Sequence, residues 1–323
     1  MDRVGLAVTT QPRLYERVFS AGWGDRLGEA IDLVRSVPPV EPVVGVESLP
    51  ARYVDGARHL QLRFPSPIDL LPAESHLAHV HLIEPRGADR AVVMMAAFND
   101  HGPDTRLALA GPLLAGGVAV AILENPYYGL RRPLAGQPMS TAADLLVMGS
   151  AAVAEGRMVL ELLSDMGYQT LGVSGYSMGA NIAAFVAAAS SRPVACAALA
   201  ASHSPGPVFT RGALAAAVDW DALGGFELAR TRLGEVLGEA TVLRHPAPPH
   251  TAAALVVGAD ADGYIPRDAT EDLARHWPGS ELRFIAGGHA SVLIRKKATL
   301  SAVIMESLDR LTEWRQGAST LTS

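Results

Sequence analysis

Residues 171–180 read Leu-Gly-Val-Ser-Gly-Tyr-Ser-Met-Gly-Ala, with Ser177 at the centre of a Gly-x-Ser-x-Gly motif. Three fixed positions are a weak signal alone, but their setting adds to it. An apolar run at 170–174 precedes the motif, and the nearly continuous apolar stretch 178–189 follows. That is a buried strand turning sharply into a buried helix, the arrangement that lifts a serine hydroxyl above a sheet edge as a nucleophile. Glycines two before and two after the serine let strand and helix approach through the turn.

A serine so presented needs a base, and the base needs an acid, in the chain order Ser, then Asp or Glu, then His. After the apolar run 252–258 comes Gly258-Ala259-Asp260-Ala261-Asp262-Gly263-Tyr264-Ile265-Pro266. Asp262 is the expected acid; Asp260 is its rival, otherwise read as a turn-forming or helix-capping carboxylate. Beyond the next strand, Ala286-Gly287-Gly288-His289 puts a histidine behind a Gly-Gly turn at the mouth of the last helical pattern. His289 is the expected general base, with Asp262 fixing its tautomer and stabilising the imidazolium. The developing oxyanion needs main-chain donors. The expected ones are the Met178 N–H, next after the nucleophile, and the Phe98 N–H in the loop Ala97-Phe98-Asn99-Asp100-His101.

Other polar groups are weaker candidates. The string Glu124-Asn125-Pro126-Tyr127-Tyr128-Gly129, with Arg131 and Arg132, follows a predicted central strand at its C-terminal end, where open sheets hold ligands. Tyr127, Tyr128 and Arg131, with Tyr176 beside the nucleophile, are candidate substrate contacts; bracing the turn is the alternative. His76, His79 and His81 form a His-x-x-His-x-His cluster in a predicted edge hairpin. With no further ligands evident, a solvated strand face is the expected reading, and no metal is expected. The glycines at 172–179 lack the ending of a P-loop and the spacing of a dinucleotide fingerprint, so no cofactor is expected.

The elements that must position these groups are legible as alternating patterns. Residues 57–64 and 79–84 alternate apolar and polar, as half-buried antiparallel strands do. Runs 91–97, 118–123, 170–174, 194–201 and 252–258 are short and continuously apolar, as in strands buried on both faces. Helical patterns at 104–114, 142–166 and 178–189 separate them, and strand 281–285 and a helix over 290–314 close the chain. The expectation is a mostly parallel sheet with helices on both faces. Residues 1–50 read as a helical segment and a proline-rich connector, and 51–201 with 251–323 as the core. Residues 202–250, with helices expected around 211–220 and 226–237, read as an insertion over one end of the sheet.

Composition narrows the function classes. Of 323 residues, 49% are hydrophobic and 19% charged, enough to bury a large core and too apolar for wholesale disorder. The net charge of −6 provides no basic field for nucleic acid, so no such partner is expected. The single cysteine, Cys196, lies in an apolar run and excludes an internal disulfide. No apolar run is long enough for a signal peptide or a membrane span, and a soluble, cytoplasmic protein is expected. Oligomeric state is left open.

The motifs together resemble the α/β-hydrolase superfamily, and most closely the alpha/beta hydrolase domain-containing protein 18 family. The likeness runs from about residue 18 to 290. It is carried by Phe19-Ser20-Ala21-Gly22-Trp23-Gly24, the 124–129 string and Gly175-Tyr176-Ser177-Met178-Gly179. Pro207-Val208-Phe209-Thr210-Arg211-Gly212, Asp262-Gly263-Tyr264-Ile265-Pro266-Arg267 and Gly287-Gly288-His289 complete it. The resemblance implies an α/β-hydrolase fold with a helical cap insertion and a serine hydrolase activity. Two positions depart from the pattern: relatives carry Gly-Thr-Gly-Asp-His at 97–101 and Gly-His at 180–181. The expected reaction is hydrolysis of a small-molecule or lipid carboxylic ester through an acyl-enzyme. An amidase, peptidase or acyltransferase would use the same triad. A non-catalytic binding protein on this fold is the rival from another class, and the altered 97–101 turn is the feature in its favour.

Overall fold

The computed structural model describes residues 17–36, 43–54, 56–134 and 139–320. The expected helical pattern before residue 17, and 37–42 of the connector, lie outside the described residues. Helix α1 (Leu27–Arg35) is followed by the short strands β1 (Glu47–Ser48) and β2 (Arg52–Val54), then β3 (Ala57–Pro65) and β4 (Leu77–Glu84). β5 (Arg90–Met95), α2 (Asp104–Ala115), β6 (Val118–Leu123), α3 (Ala142–Asp165), β7 (Thr170–Tyr176), α4 (Met178–Ala188) and β8 (Ala195–Leu199) then alternate strand and helix. Helices α5 (Pro205–Thr210) and α6 (Phe226–Gly238) come before β9 (Ala254–Ala259). The chain closes with α7 (Arg267–His276), β10 (Glu281–Ile285), α8 (His289–Arg295) and α9 (Lys297–Thr320).

Among the described residues the strands form one sheet in the order β1-β3-β4-β6-β5-β7-β8-β9-β10, with β2 also on β3. From β6 to β10 all pairings are parallel, whereas β3, β4 and β6 pair antiparallel. The cause is visible in the residues. In β4, Ala78, Val80 and Leu82 are buried while His79 and His81 between them are only partly covered. In β6, β7, β8 and β9 every residue is buried, because helices cover both faces. Val92 and Met94 of β5 pack with Leu109 and Leu113 of α2 and Ile304 and Leu308 of α9. Their neighbours Val93 and Met95 pack on the opposite face, with Leu160 of α3 and Ala183 of α4. α3 starts at a capping box in which Thr141 and Asp144 satisfy each other's backbone N–H groups.

β3 and β4 form the expected antiparallel hairpin near the sheet edge, with the short β1 and β2 outside β3 and β6 inside β4. One local expectation is corrected. Within 202–250, the first α-helix lies at Pro205–Thr210, earlier than 211–220. Pro205 at the first helical position starts it. Gly212 then ends it against the loop after β9, where a β-carbon would stand 1.8 Å from the Tyr264 carbonyl oxygen. Only a short 3₁₀ turn, Ala213–Ala216, follows there.

Cys196 lies wholly inside the sheet, and burial pushes its thiol up to about 12. Because the thiolate is the reactive species, the folded protein should not react with an aromatic disulfide reagent at pH 8. Adding denaturant should release one equivalent of reactive thiol; rapid reaction of the native protein would contradict this packing.

Candidate active site

The turn between β7 and α4 carries Ser177 at φ +58°, ψ −117°, left-handed backbone that is costly for a residue with a side chain. Its environment over-determines it. The Ser177 N–H donates to the Leu199 carbonyl at 2.9 Å, and its own carbonyl accepts from the Ala180 and Asn181 N–H groups. The flanking glycines are required by space. A β-carbon on Gly175 would stand 2.4 Å from the Gly179 backbone, and one on Gly179 would stand 2.4 Å from the Met95 carbonyl oxygen. The helix that starts at Met178 therefore rests directly on the end of β5.

His289 opens α8, and its Nδ1 lies 2.7 Å from Asp262 Oδ2. A carboxylate only accepts, so in the neutral ring Nδ1 carries the proton and Nε2 is the free base. Asp262 is held by the backbone of its own turn, its Oδ1 accepting from Tyr264 N–H at 2.8 Å and Ile265 N–H at 2.9 Å. Asp260 goes elsewhere, accepting the Gly287 N–H at 2.8 Å and so tying the loop after β9 to the one before α8. The imidazole stacks on the Tyr264 ring at 5.0 Å and lies 5.1 Å from the Tyr176 ring. The Tyr176 hydroxyl donates to the His289 carbonyl at 2.5 Å, which fastens the histidine to the residue just before Ser177.

A partly open pocket adjoins Ser177, with about 40 Å³ of space that the centre of a water molecule could occupy. Phe98 and Met178 line it from the sheet, and Val208, Phe209 and Leu214 line it from the 202–250 segment. As the first residue of α4, Met178 has no intrahelical acceptor for its N–H. In the loop after β5, the Asp100 N–H donates to the Ala97 carbonyl at 3.2 Å. That bond does not use the Phe98 N–H. Beneath that loop is buried Arg106, in an ion pair with Asp100 (3.0 Å) and donating to the carbonyls of Gly102 and Leu123. Burial raises the Asp100 pKa and lowers that of Arg106, with the pairing opposing both shifts.

The candidate substrate contacts at 127–131 are corrected: none lines the pocket at Ser177. Arg131 is fully buried, its guanidinium forked onto Glu155 with both bonds at 2.6 Å and donating to the carbonyls of Ser75 and Glu124. Tyr127 and Tyr128 are also buried, their hydroxyls facing Asp144 and Met139. Tyr176 braces the His289 backbone. His81 is bonded to Glu124 at 2.7 Å and His76 to the Leu71 carbonyl, so both face partners within the protein rather than bulk water alone. Among the described residues no group of three His, Cys, Asp or Glu side chains could hold a metal ion, and no helix is long and apolar enough to cross a membrane. Sequence reasoning assigned no role to Tyr264, Asp100 or Arg106. A lone arginine within the apolar stretch around Leu107 and Leu109 was the signal for the last.

The doubly covered parallel sheet with an antiparallel edge, and a serine on the turn after its central strand, define an α/β-hydrolase fold. The family model described as alpha/beta hydrolase domain containing 18 matches residues 17–228 and 224–310. The chain belongs to that family. Its fold is similar to the acetyl xylan esterase of Paenibacillus sp. R4, at 14% identity and TM-score 0.58, over 94% of this chain and 99% of that one. It is likewise similar to acetyl xylan esterase 1 of Thermoanaerobacterium sp. JW/SL YS485, at 13% identity and TM-score 0.55, over 93% and 99%. A cold-adapted esterase from an Arctic intertidal metagenomic library matches at 11% identity and TM-score 0.51, over 82% and 99%.

Removing one partner of a buried pair leaves an uncompensated charge. Arg131→Met should therefore lower the unfolding free energy in urea by about 3–5 kcal/mol. A variant as stable as the parent but weaker in substrate binding would restore Arg131 as a contact residue.

Proposed function

We propose that the protein is a serine hydrolase that cleaves carboxylic esters through Ser177, His289 and Asp262. The observation that carries this reading is the Asp262–His289 hydrogen bond, held through Tyr176 against the turn that presents Ser177. His289 Nε2 takes the Ser177 proton as Oγ attacks the acyl carbon. Asp262 keeps the ring in the productive tautomer and stabilises the imidazolium. The N–H groups of Met178 and Phe98 receive the oxyanion, each such donor contributing on the order of 2.7–4 kcal/mol. His289 then returns the proton to the leaving alcohol, and the acyl group remains on Ser177. Water, deprotonated by the same imidazole, attacks the acyl-enzyme through a second oxyanion and frees the acid.

Residues 202–250 act in this reading as a cap over the acyl site. The apolar side chains it turns toward Ser177 favour a hydrocarbon group over a charged one. The similar solved structures of esterases agree with an ester as substrate.

Fluorophosphonate should label the wild type, and Ser177→Ala and His289→Ala should abolish the label. Asp262→Asn should reduce kcat on p-nitrophenyl butyrate on the order of 10⁴-fold, while Asp260→Asn keeps most of it. No labelling of the folded wild type would end this reading in favour of a binding protein.

A further inference from the structure

Behind the pocket at Ser177 lies a second, partly open cavity, with about 60 Å³ of space that the centre of a water molecule could occupy. The two share Leu145, Met178, Asn181 and Pro205, so they adjoin across the first turn of α4. Along α4 the second cavity is walled by Met178, Asn181, Ile182 and Phe185, the i, i+3, i+4, i+7 face of the helix that starts at the nucleophile. α3 forms the opposite wall, and Leu33 of α1 closes over it. Helices packed only for stability leave few voids larger than a water molecule.

Two glycines of α3 separate packing from space. Gly156 is needed for contact, because a β-carbon there would stand 2.9 Å from Val186 Cγ2 and 3.2 Å from Met95 Cε. Gly149 lines the cavity, and a β-carbon there meets no heavy atom within 4 Å. It gives up helix propensity in mid-helix for no close approach. What it leaves is room.

We infer that this cavity is a subsite for a linear hydrocarbon chain of the acyl group, and that Gly149 keeps it open. The inference rests on the ester-hydrolase reading above and names its substrate class: esters of unbranched acids too long for the pocket at Ser177. The acyl chain is favoured over the alcohol by the order of the reaction. The acyl group stays on Ser177 through both steps, whereas the alcohol must leave and be replaced by water, which an apolar pocket disfavours.

The test compares kcat/KM for p-nitrophenyl octanoate and p-nitrophenyl acetate in the wild type, Gly149→Ala and Gly149→Leu. The wild type should prefer octanoate. In Gly149→Leu the octanoate-to-acetate ratio should fall by about tenfold or more, with little change in Gly149→Ala. Thermal melting guards against misfolding, since both substitutions raise helix propensity and neither should lower Tm. A wild type indifferent to chain length, or a ratio that stays within about twofold in Gly149→Leu, overturns the subsite. Calorimetric titration of decanoate into Ser177→Ala, with and without Gly149→Leu, reads the cavity without turnover. If the wild type cleaves no ester, decanoate binding blocked by the leucine upholds the chain site while the hydrolase reading falls. Decanoate binding that is absent, or indifferent to the leucine, removes the chain site.

Discussion

The site depends on one close approach: the start of α4 lies against the end of β5 with no room for a side chain at Gly179. A β-carbon there would press on the carbonyl oxygens of both Met95 and Ala96. This contact is possible because β5 and β7 are neighbours in register, Met95 opposite Gly175. It places two things side by side that are far apart in sequence. One is the helix N-terminus carrying Met178; the other is the loop carrying Phe98. A displacement of α4 by the width of a methyl group would separate them, so the glycines at 175 and 179 shape the site through backbone position alone.

The remaining parts of the site are fastened to this junction by close backbone contacts and buried charge. Tyr176 links the turn at Ser177 to His289, and Asp260 links the Asp262 loop to Gly287. Gly212 lies on the Tyr264 carbonyl while the Ala213 N–H donates to the Gly263 carbonyl, so residues 202–250 are docked to the loop that carries Asp262. On the other side, Arg131 joins the loop after β6 to Glu155 of α3, and Arg106 joins the loop after β5 to the ends of neighbouring strands. Buried ion pairs are poor sources of net stability, because desolvation offsets their attraction. Their directional bonds instead give irregular loops the backbone partners that such loops otherwise lack.

Much of this was legible in the sequence where one residue type had one physical solution. Continuous apolar runs predicted strands buried on both faces, and alternation predicted the antiparallel pair β3 and β4. The serine between glycines predicted a turn from strand to helix. Position favoured Asp262 over Asp260, and the fold gives them different partners: Asp262 Oδ2 lies 2.7 Å from His289 Nδ1, whereas Asp260 accepts the Gly287 N–H. For Arg131 the sequence left a substrate contact and a brace of the turn open, because an arginine beside two tyrosines in a loop fits either; its buried fork onto Glu155 is the brace. Its partner, Glu155, stood in the sequence as a carboxylate amid the alanines and valines of α3, but only the fold shows that the two meet. The histidines of β4 were expected on a solvated strand face, and they are only partly covered; the partner of His81, Glu124, follows β6 and lies 43 residues away, so the pairing could not be read from the sequence.

The same end of the sheet concentrates the unfavourable terms. A left-handed serine costs of order 1–3 kcal/mol, the buried pairs return little net stability, and the apolar cavity behind α4 forfeits packing. None of these features stabilises the fold, and each is surrounded by elements that do. β6, β7, β8 and β9 are buried at every residue, and α3 and α4 are buried along most of their lengths. Strain at Ser177 is then resisted from both sides: relaxing the serine to ordinary backbone would have to lift α4 off β5 and open both apolar faces at once. A rigid two-faced sheet is therefore what lets a costly turn persist, with Ser177, Asp262 and His289 next to strand ends that hold their backbones.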